Sequence, residues 1–77
     1  MKIKELDCVV LTADLPEERI VAGDVGTVVH VYQDGAAYEV EFVTYAGQTI
    51  AVATVEATDV RPISKRDISH VRQLQTV

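Results

Sequence analysis

Strict alternation of apolar and acidic residues marks one short segment near the middle of the chain. Tyr38, Val40 and Phe42 fall on one side of an extended strand, and Glu39 and Glu41 fall on the other. Because successive side chains of a strand point to opposite faces, this pattern predicts a half-buried strand. We expect the two aromatic residues in the core and the glutamates on a solvated outer face.

Three further segments are dense in apolar or β-branched residues and are bounded by turn-forming residues, which favours strands. Asp34-Gly35 predicts a hairpin between the second and third strands, and Ala46-Gly47-Gln48 predicts the next turn. Pro62 ends a short last strand or single 3₁₀ turn because proline donates no ladder hydrogen bond. The additional strands are predicted at residues 6–13, 25–33 and 49–55, with the last element at residues 58–62.

Two segments lack a strand pattern. Residues 14–23 predict a loop, since Pro16 is unsuited to a central strand. Asp14 could cap one helical turn there, and Ile20 and Val21 would anchor the loop to the core. Residues 64–77 predict a tail in which Ile68, Val71 and Leu74, spaced three apart, form a thin helical stripe that folds only against something else. The predicted division is a domain over residues 1–63 and a C-terminal tail over residues 64–77.

Four or five short strands at intervals of roughly 8–12 residues predict an all-β fold, a small barrel that leaves few exposed edges. An SH3-like barrel of about five strands matches the length of 77 residues. An OB-type barrel is the alternative, but it usually needs a longer chain and a helix between its middle strands.

Charge narrows the classes of partner. The formal net charge is −5, so phosphate backbones and anionic lipids are repelled and basic protein surfaces are favoured. The N-terminal residues are charged and lack the apolar core of a secretory signal, and no apolar run approaches the length of a membrane span. We therefore expect a cytoplasmic protein that has no membrane partner and for which nucleic acid is an unfavoured partner.

Residues with catalytic or metal-binding chemistry are few. Cys8 is the single cysteine, which excludes an intrachain disulfide and a cysteine zinc site, and its apolar segment predicts a buried thiol. Asp7, Cys8 and His30 could form a nucleophilic site only by convergence across strands, and no spacing supports it. We predict no catalytic, cofactor-binding or metal-binding residue, and hence no enzyme.

Five residues are the candidates for partner binding. Asp14, Glu17 and Glu18 form an acidic cluster in the loop, although solubility alone would also explain it. Tyr32 and Tyr45 lie near predicted strand ends, where a ring can contact a partner or cover an open end of the barrel.

Four ordered pieces of the chain carry a resemblance to a known family. They are residues 11–17, 23–32, 38–42 and 59–62. Through them, residues 7–62 resemble the small bacterial proteins of the domain of unknown function 4926 family, which implies an SH3-like barrel and brings no established activity. A looser likeness to the KOW element of ribosomal and elongation proteins implies RNA binding, but the corresponding stretch carries acidic residues and no lysine or arginine.

These observations favour a non-catalytic protein-interaction module, such as an accessory or antitoxin-like subunit that docks a basic partner through the loop, the tyrosines and the tail. A homo-oligomer assembled through an edge strand or the tail is one alternative. Nucleic-acid binding through Lys65, Arg66 and Arg72 of the tail is the other.

Overall fold

The structure is a computed structural model that describes residues 2–75. Met1, where the predicted domain begins, and residues 76 and 77, where the predicted tail ends, lie outside the described residues. Residues 2–75 contain five strands and two single 3₁₀ turns, which confirms the predicted all-β fold. In chain order they are β1 (Cys8–Leu11), η1 (Pro16–Glu18), β2 (Val25–Tyr32), β3 (Ala37–Val43), β4 (Thr49–Glu56), η2 (Ala57–Asp59) and β5 (Val60–Pro62).

The strands form one antiparallel sheet in the order β4-β3-β2-β1-β5. In a flat sheet of this order the outer strands would lie about 19 Å apart. The connection from Glu56 through η2 to Val60 reaches at most about 14 Å, so the sheet must curl until its outer strands approach at that corner. This curl agrees with the predicted barrel, while the SH3-like assignment stays a prediction.

The core lies inside this curl. Tyr38 and Phe42 are buried there with Val40 between them, as the alternation predicts. Full burial of one such side chain stabilises the fold by about 1.5–3 kcal/mol. The largest fully buried side chains come from strands β1 to β4: Val9, Leu11, Val28, Val40 and Val55.

A β-bulge in β2 changes which of its side chains face the core. The pairing with β3 shifts between Val28 and His30, which leaves Val29 as the extra residue. Beyond the bulge, Val31 packs against the core, whereas His30 and Tyr32 point outward. The bulge thus turns Tyr32 to the outer face of the sheet.

Gly26 allows β2 and β3 to pack closely. A β-carbon at this position would lie 2.5 Å from Val40 Cγ1 and 2.9 Å from both Glu41 O and Phe42 Cε1. Any side chain would therefore displace the core or the backbone of β3, which explains why glycine precedes the valine-rich part of β2.

The first strand is shorter than predicted, and Cys8 is exposed, so the prediction of a buried thiol was wrong. Leu6 has a φ of 74°, a left-handed conformation that does not continue a strand. Within β1, Val9 and Leu11 face the core, which places Cys8 on the opposite face. Val10 lies on the same face as Cys8 but is only 7% exposed, so this second face of β1 is covered at Val10 and open at Cys8.

The tail forms neither a helix nor a strand over residues 64–75, and folding of the stripe against something else stays a prediction. Ile68 and Val71 remain largely exposed, because no facing element buries them. A thin apolar stripe gives too little burial to offset the entropy of ordering a short helix.

Candidate protein interface

The loop between β1 and β2 is a narrow hairpin-like projection. Leu15 and Ile20 exchange two backbone hydrogen bonds, with the Leu15 N–H donating at 2.8 Å and the Ile20 N–H at 3.3 Å. The turn η1 forms the tip, and Arg19 leaves it in a left-handed conformation with φ 61°. Ile20 is only 2% exposed, which confirms it as an anchor of the loop, whereas Val21 is 38% exposed, so its predicted anchoring role was wrong.

Two aspartates accept hydrogen bonds that stabilise this loop, and of the two only Asp14 joins its arms. Asp14 Oδ1 accepts a hydrogen bond from the Ala22 N–H at 2.8 Å, and Asp24 Oδ2 accepts one from the Val21 N–H at 2.9 Å. Asp14 does not form the predicted helix cap. Its carboxylate instead bridges the loop, and it remains exposed to solvent.

Glu17 and Glu18 lie at the exposed tip of the loop, in η1. No ion pair within residues 2–75 involves either glutamate. Their charges are therefore not neutralised by a described neighbour, and a basic partner could approach them without first breaking an internal contact.

Backbone hydrogen bonds join the β4–β5 connection, which contains η2, to the β1–β2 loop and to the β2–β3 turn. The Asp59 carbonyl accepts from the Thr12 N–H at the base of the loop, at 2.7 Å, and the Ala57 N–H donates to the Ala36 carbonyl of the β2–β3 turn, at 3.1 Å. Five carboxylates lie on these connections and a sixth, at Glu56, ends β4 next to η2. We call the six the acidic surface: Asp14, Glu17, Glu18, Asp34, Glu56 and Asp59. Two described cations accompany these carboxylates. Arg19 follows Glu18 in the chain, and Lys2 Nζ lies 3.2 Å from Asp34 Oδ1.

Tyr32 lies on the outer face of the sheet. Its hydroxyl donates to Glu39 Oε1 at 3.1 Å, and the Thr54 hydroxyl donates to the same oxygen at 2.6 Å. Its ring packs edge-on against His30, with ring centroids 4.5 Å apart. The hydrogen bond to the Glu39 carboxylate raises the pKa of Tyr32, and this hydroxyl is engaged within the sheet.

Tyr45 lies apart from the other four candidates, in the turn between β3 and β4. The turn is closed by a hydrogen bond from the Gln48 N–H to the Thr44 hydroxyl, and Tyr45 is 86% exposed. The predicted partner-binding residues thus divide into three places: the acidic loop, the outer sheet face at Tyr32, and the turn at Tyr45.

Tyr45 borders a groove of about 730 Å³ between the tail and the adjoining ends of β2 and β3. Arg72 of the tail crosses it and pairs with Asp24: Nε lies 2.8 Å from Oδ1, and Nη2 lies 2.6 Å from Oδ2. Partial burial raises the pKa of Asp24, but the hydrogen bonds from Arg72 and Val21 outweigh burial, so the pKa lies below its usual value.

The pairing of Asp24 with Arg72 was not predicted from the sequence. The two residues are 48 positions apart, and each alone reads as an ordinary surface charge. The second tail pair, Arg61 with Asp67, is local: Asp67 accepts two hydrogen bonds from the Arg61 guanidinium and one from the Ser64 N–H. These bonds hold the pKa of Asp67 far below its usual range.

The structure groups no side chains for metal binding. No cluster of three histidine, cysteine or acidic side chains able to hold a metal ion occurs among the described residues. His30 Nδ1 approaches a carboxylate only at Glu5, at 3.9 Å. No helix of residues 2–75 is long and apolar enough to cross a membrane.

Comparison with known proteins gives one match. The model of a family described as a domain of unknown function (DUF4926) matches residues 5–62, most of the chain. This confirms the resemblance that the sequence pieces predict. Neither the curated proteins nor the solved structures contain a match to the chain.

Proposed function

Since the chain belongs to the domain of unknown function 4926 family, whose description gives no activity, we propose a function from its surface: a non-catalytic module that docks a basic protein on its acidic surface. The observation that carries this proposal is the position of η2 against both the loop base and the β2–β3 turn. The connections that meet at η2, together with Glu56 next to it, carry half of the 12 acidic residues of the chain.

Electrostatics supports a protein partner. Clustered carboxylates at the end of a small domain raise the local concentration of a cationic partner and speed its association. The loop that carries Glu17 and Glu18 is fixed by its own backbone bonds and by buried Ile20, so docking would not need to order it. A concrete form of the proposal is an accessory or antitoxin-like subunit of the bacterial cytoplasm that masks a cationic surface.

Nucleic-acid binding through the tail receives less support. Of the three cations on which that alternative depends, Arg72 is paired with Asp24. Lys65 and Arg66 alone would release few counterions on binding a phosphate backbone.

The test is affinity capture from the native host at low salt with the full chain as bait. The Glu17→Gln/Glu18→Gln variant removes two charges from the loop tip, and Glu5→Gln/Asp7→Asn removes two charges outside both the acidic surface and the groove. We expect a basic protein to be captured by the wild type and the control, with at least a tenfold loss for the loop variant. Equal capture by both variants would contradict docking at the acidic surface.

The alternative of homo-oligomerisation is tested by measuring the mass of the same purified proteins in solution. Light scattering after size exclusion should give the mass of a monomer at micromolar concentration. A stable dimer that captures no other protein would replace the proposed function with self-association through a sheet edge or the tail.

A further inference from the structure

The groove beneath the tail offers a preformed acceptor for an arginine. The Asp24 backbone is fixed independently of the tail, since its carbonyl accepts from the Leu11 N–H at 2.9 Å and its N–H donates to the Val21 carbonyl at 3.0 Å. Its side chain presents both oxygens to one guanidinium. Such paired contacts match the planar geometry of arginine and favour it over lysine.

The tail is weakly held in this groove. From residue 68 to residue 75, the hydrogen bonds to the rest of the described chain all come from the Arg72 side chain, which contacts Asp24 and the Arg19 carbonyl. Ile68 is 92% exposed and Val71 is 69% exposed, so neither gains much from burial. Partly exposed ion pairs stabilise little, and the tail can therefore leave the groove without unfolding the sheet.

The surroundings of Asp24 suit a particular kind of peptide. Val25, Val43 and Tyr45 give the groove an exposed apolar border, and Glu41 adds a second carboxylate. A segment that carries an arginine with aliphatic neighbours would satisfy Asp24 and cover this border. The tail itself has that composition, with Val71 before Arg72 and Leu74 after it.

We propose that this groove is a second binding site, for an extended arginine-bearing segment of a protein partner, and that the tail occupies it as an intramolecular competitor. The site lies beyond the acidic surface and uses different residues. A tethered competitor reduces the apparent affinity of an external segment in proportion to the fraction of molecules with an open groove. Release of the tail therefore exposes the site.

The test uses fluorescence anisotropy of a labelled peptide with the sequence of residues 64–75, added to the full chain. Arg72→Gln in the protein should release the tail and tighten peptide binding about three- to fivefold, as expected for a groove open one fifth to one third of the time. Arg66→Gln, which removes the same charge from the tail outside the groove, should bind the peptide as the wild type does.

Two further variants locate the binding. Asp24→Asn retains an oxygen for the Val21 N–H and removes the charge, and we expect it to abolish peptide binding when combined with Arg72→Gln. A peptide with glutamine in place of its second arginine, the one corresponding to Arg72, should lose about three- to fivefold in affinity. Equal binding of the two peptides, or no gain from Arg72→Gln, would overturn the proposal.

The experiment separates this site from the acidic surface. Glu17→Gln/Glu18→Gln should leave peptide affinity within about twofold if the groove is the site. If that variant instead removes peptide binding, the peptide is held by the acidic surface and the groove proposal fails while the proposed function stands. A dimer of the wild type that disappears in Arg72→Gln would assign the groove to the tail of a second copy and would also overturn the proposal.

Discussion

The loop between β1 and β2 and the C-terminal tail are both segments of about a dozen residues outside the sheet, yet they are held in different ways. The loop is closed by the Leu15–Ile20 bridge and buries Ile20. Beyond its first turn, the tail makes polar contacts with the body through Arg72 alone among the described residues. Irregular structure is therefore part of the fold in one segment and an attachment in the other.

The largest expected effect is at the buried anchor of the loop. Ile20→Ala should lower the free energy of unfolding by about 2–5 kcal/mol, because it removes a fully buried side chain and leaves a cavity. Ile68→Ala in the tail should change it by less than about 0.5 kcal/mol, since that side chain is exposed. Urea denaturation measures both, and equal losses would break the contrast between the two segments.

A smaller effect is expected where Asp14 ties the arms of the loop together. Asp14→Ala removes the acceptor of the Ala22 N–H and should cost about 1 kcal/mol. Asp14→Asn retains an oxygen and should lie close to the wild type. The same denaturation series checks this pair, and an alanine variant as stable as the asparagine variant would mean that the bridge contributes nothing.

The ion pair of the tail should contribute less than either loop contact, and its contribution should depend on pH. The pKa of Asp24 is below its usual 3.8 in the folded protein, so the stabilisation is present above about pH 4 and is lost as pH falls through the folded pKa. Arg72→Gln should therefore destabilise by less than about 1 kcal/mol at pH 7. The difference should shrink as the pH falls below 4, whereas a difference that grows in acid would contradict the sign.

The smallest expected effect of this ion pair is on the rate of tryptic cleavage in the tail. Trypsin cleaves after Arg66 and Arg72, and only Arg72 is engaged with Asp24. We expect Asp24→Asn to speed cleavage after Arg72 severalfold and to leave cleavage after Arg66 unchanged. Mass spectrometry of timed digests measures the two rates, and an unchanged ratio would show that the pair does not hold the tail.

Local patterns predicted the sheet well. The alternation in β3 and the turn at Asp34-Gly35 were enough to place Tyr38 and Phe42 in the core and to pair β2 with β3. These features depend on neighbouring residues, so a single sequence contains them.

Features that depend on distant contacts were not predictable. The bulge at Val29 reverses the faces of His30 and Tyr32 and leaves no mark in the alternation of a valine-rich strand. The pairing of Asp24 with Arg72 depends on how the chain folds back over 48 residues. The candidate site was thus found in part: the acidic loop and the tyrosines were identified as residues, but their separation into three places was not.

Amide hydrogen exchange by NMR on the full chain tests the central contrast most directly. The account predicts slow exchange for the loop amides of Leu15, Ile20 and Gly23, each of which donates to a backbone carbonyl, in the wild type and in Arg72→Gln alike. It predicts fast exchange for the amides of residues 68–75 in both proteins. Tail amides as slow as those of the loop, or loop protection that is lost with Arg72, would contradict it.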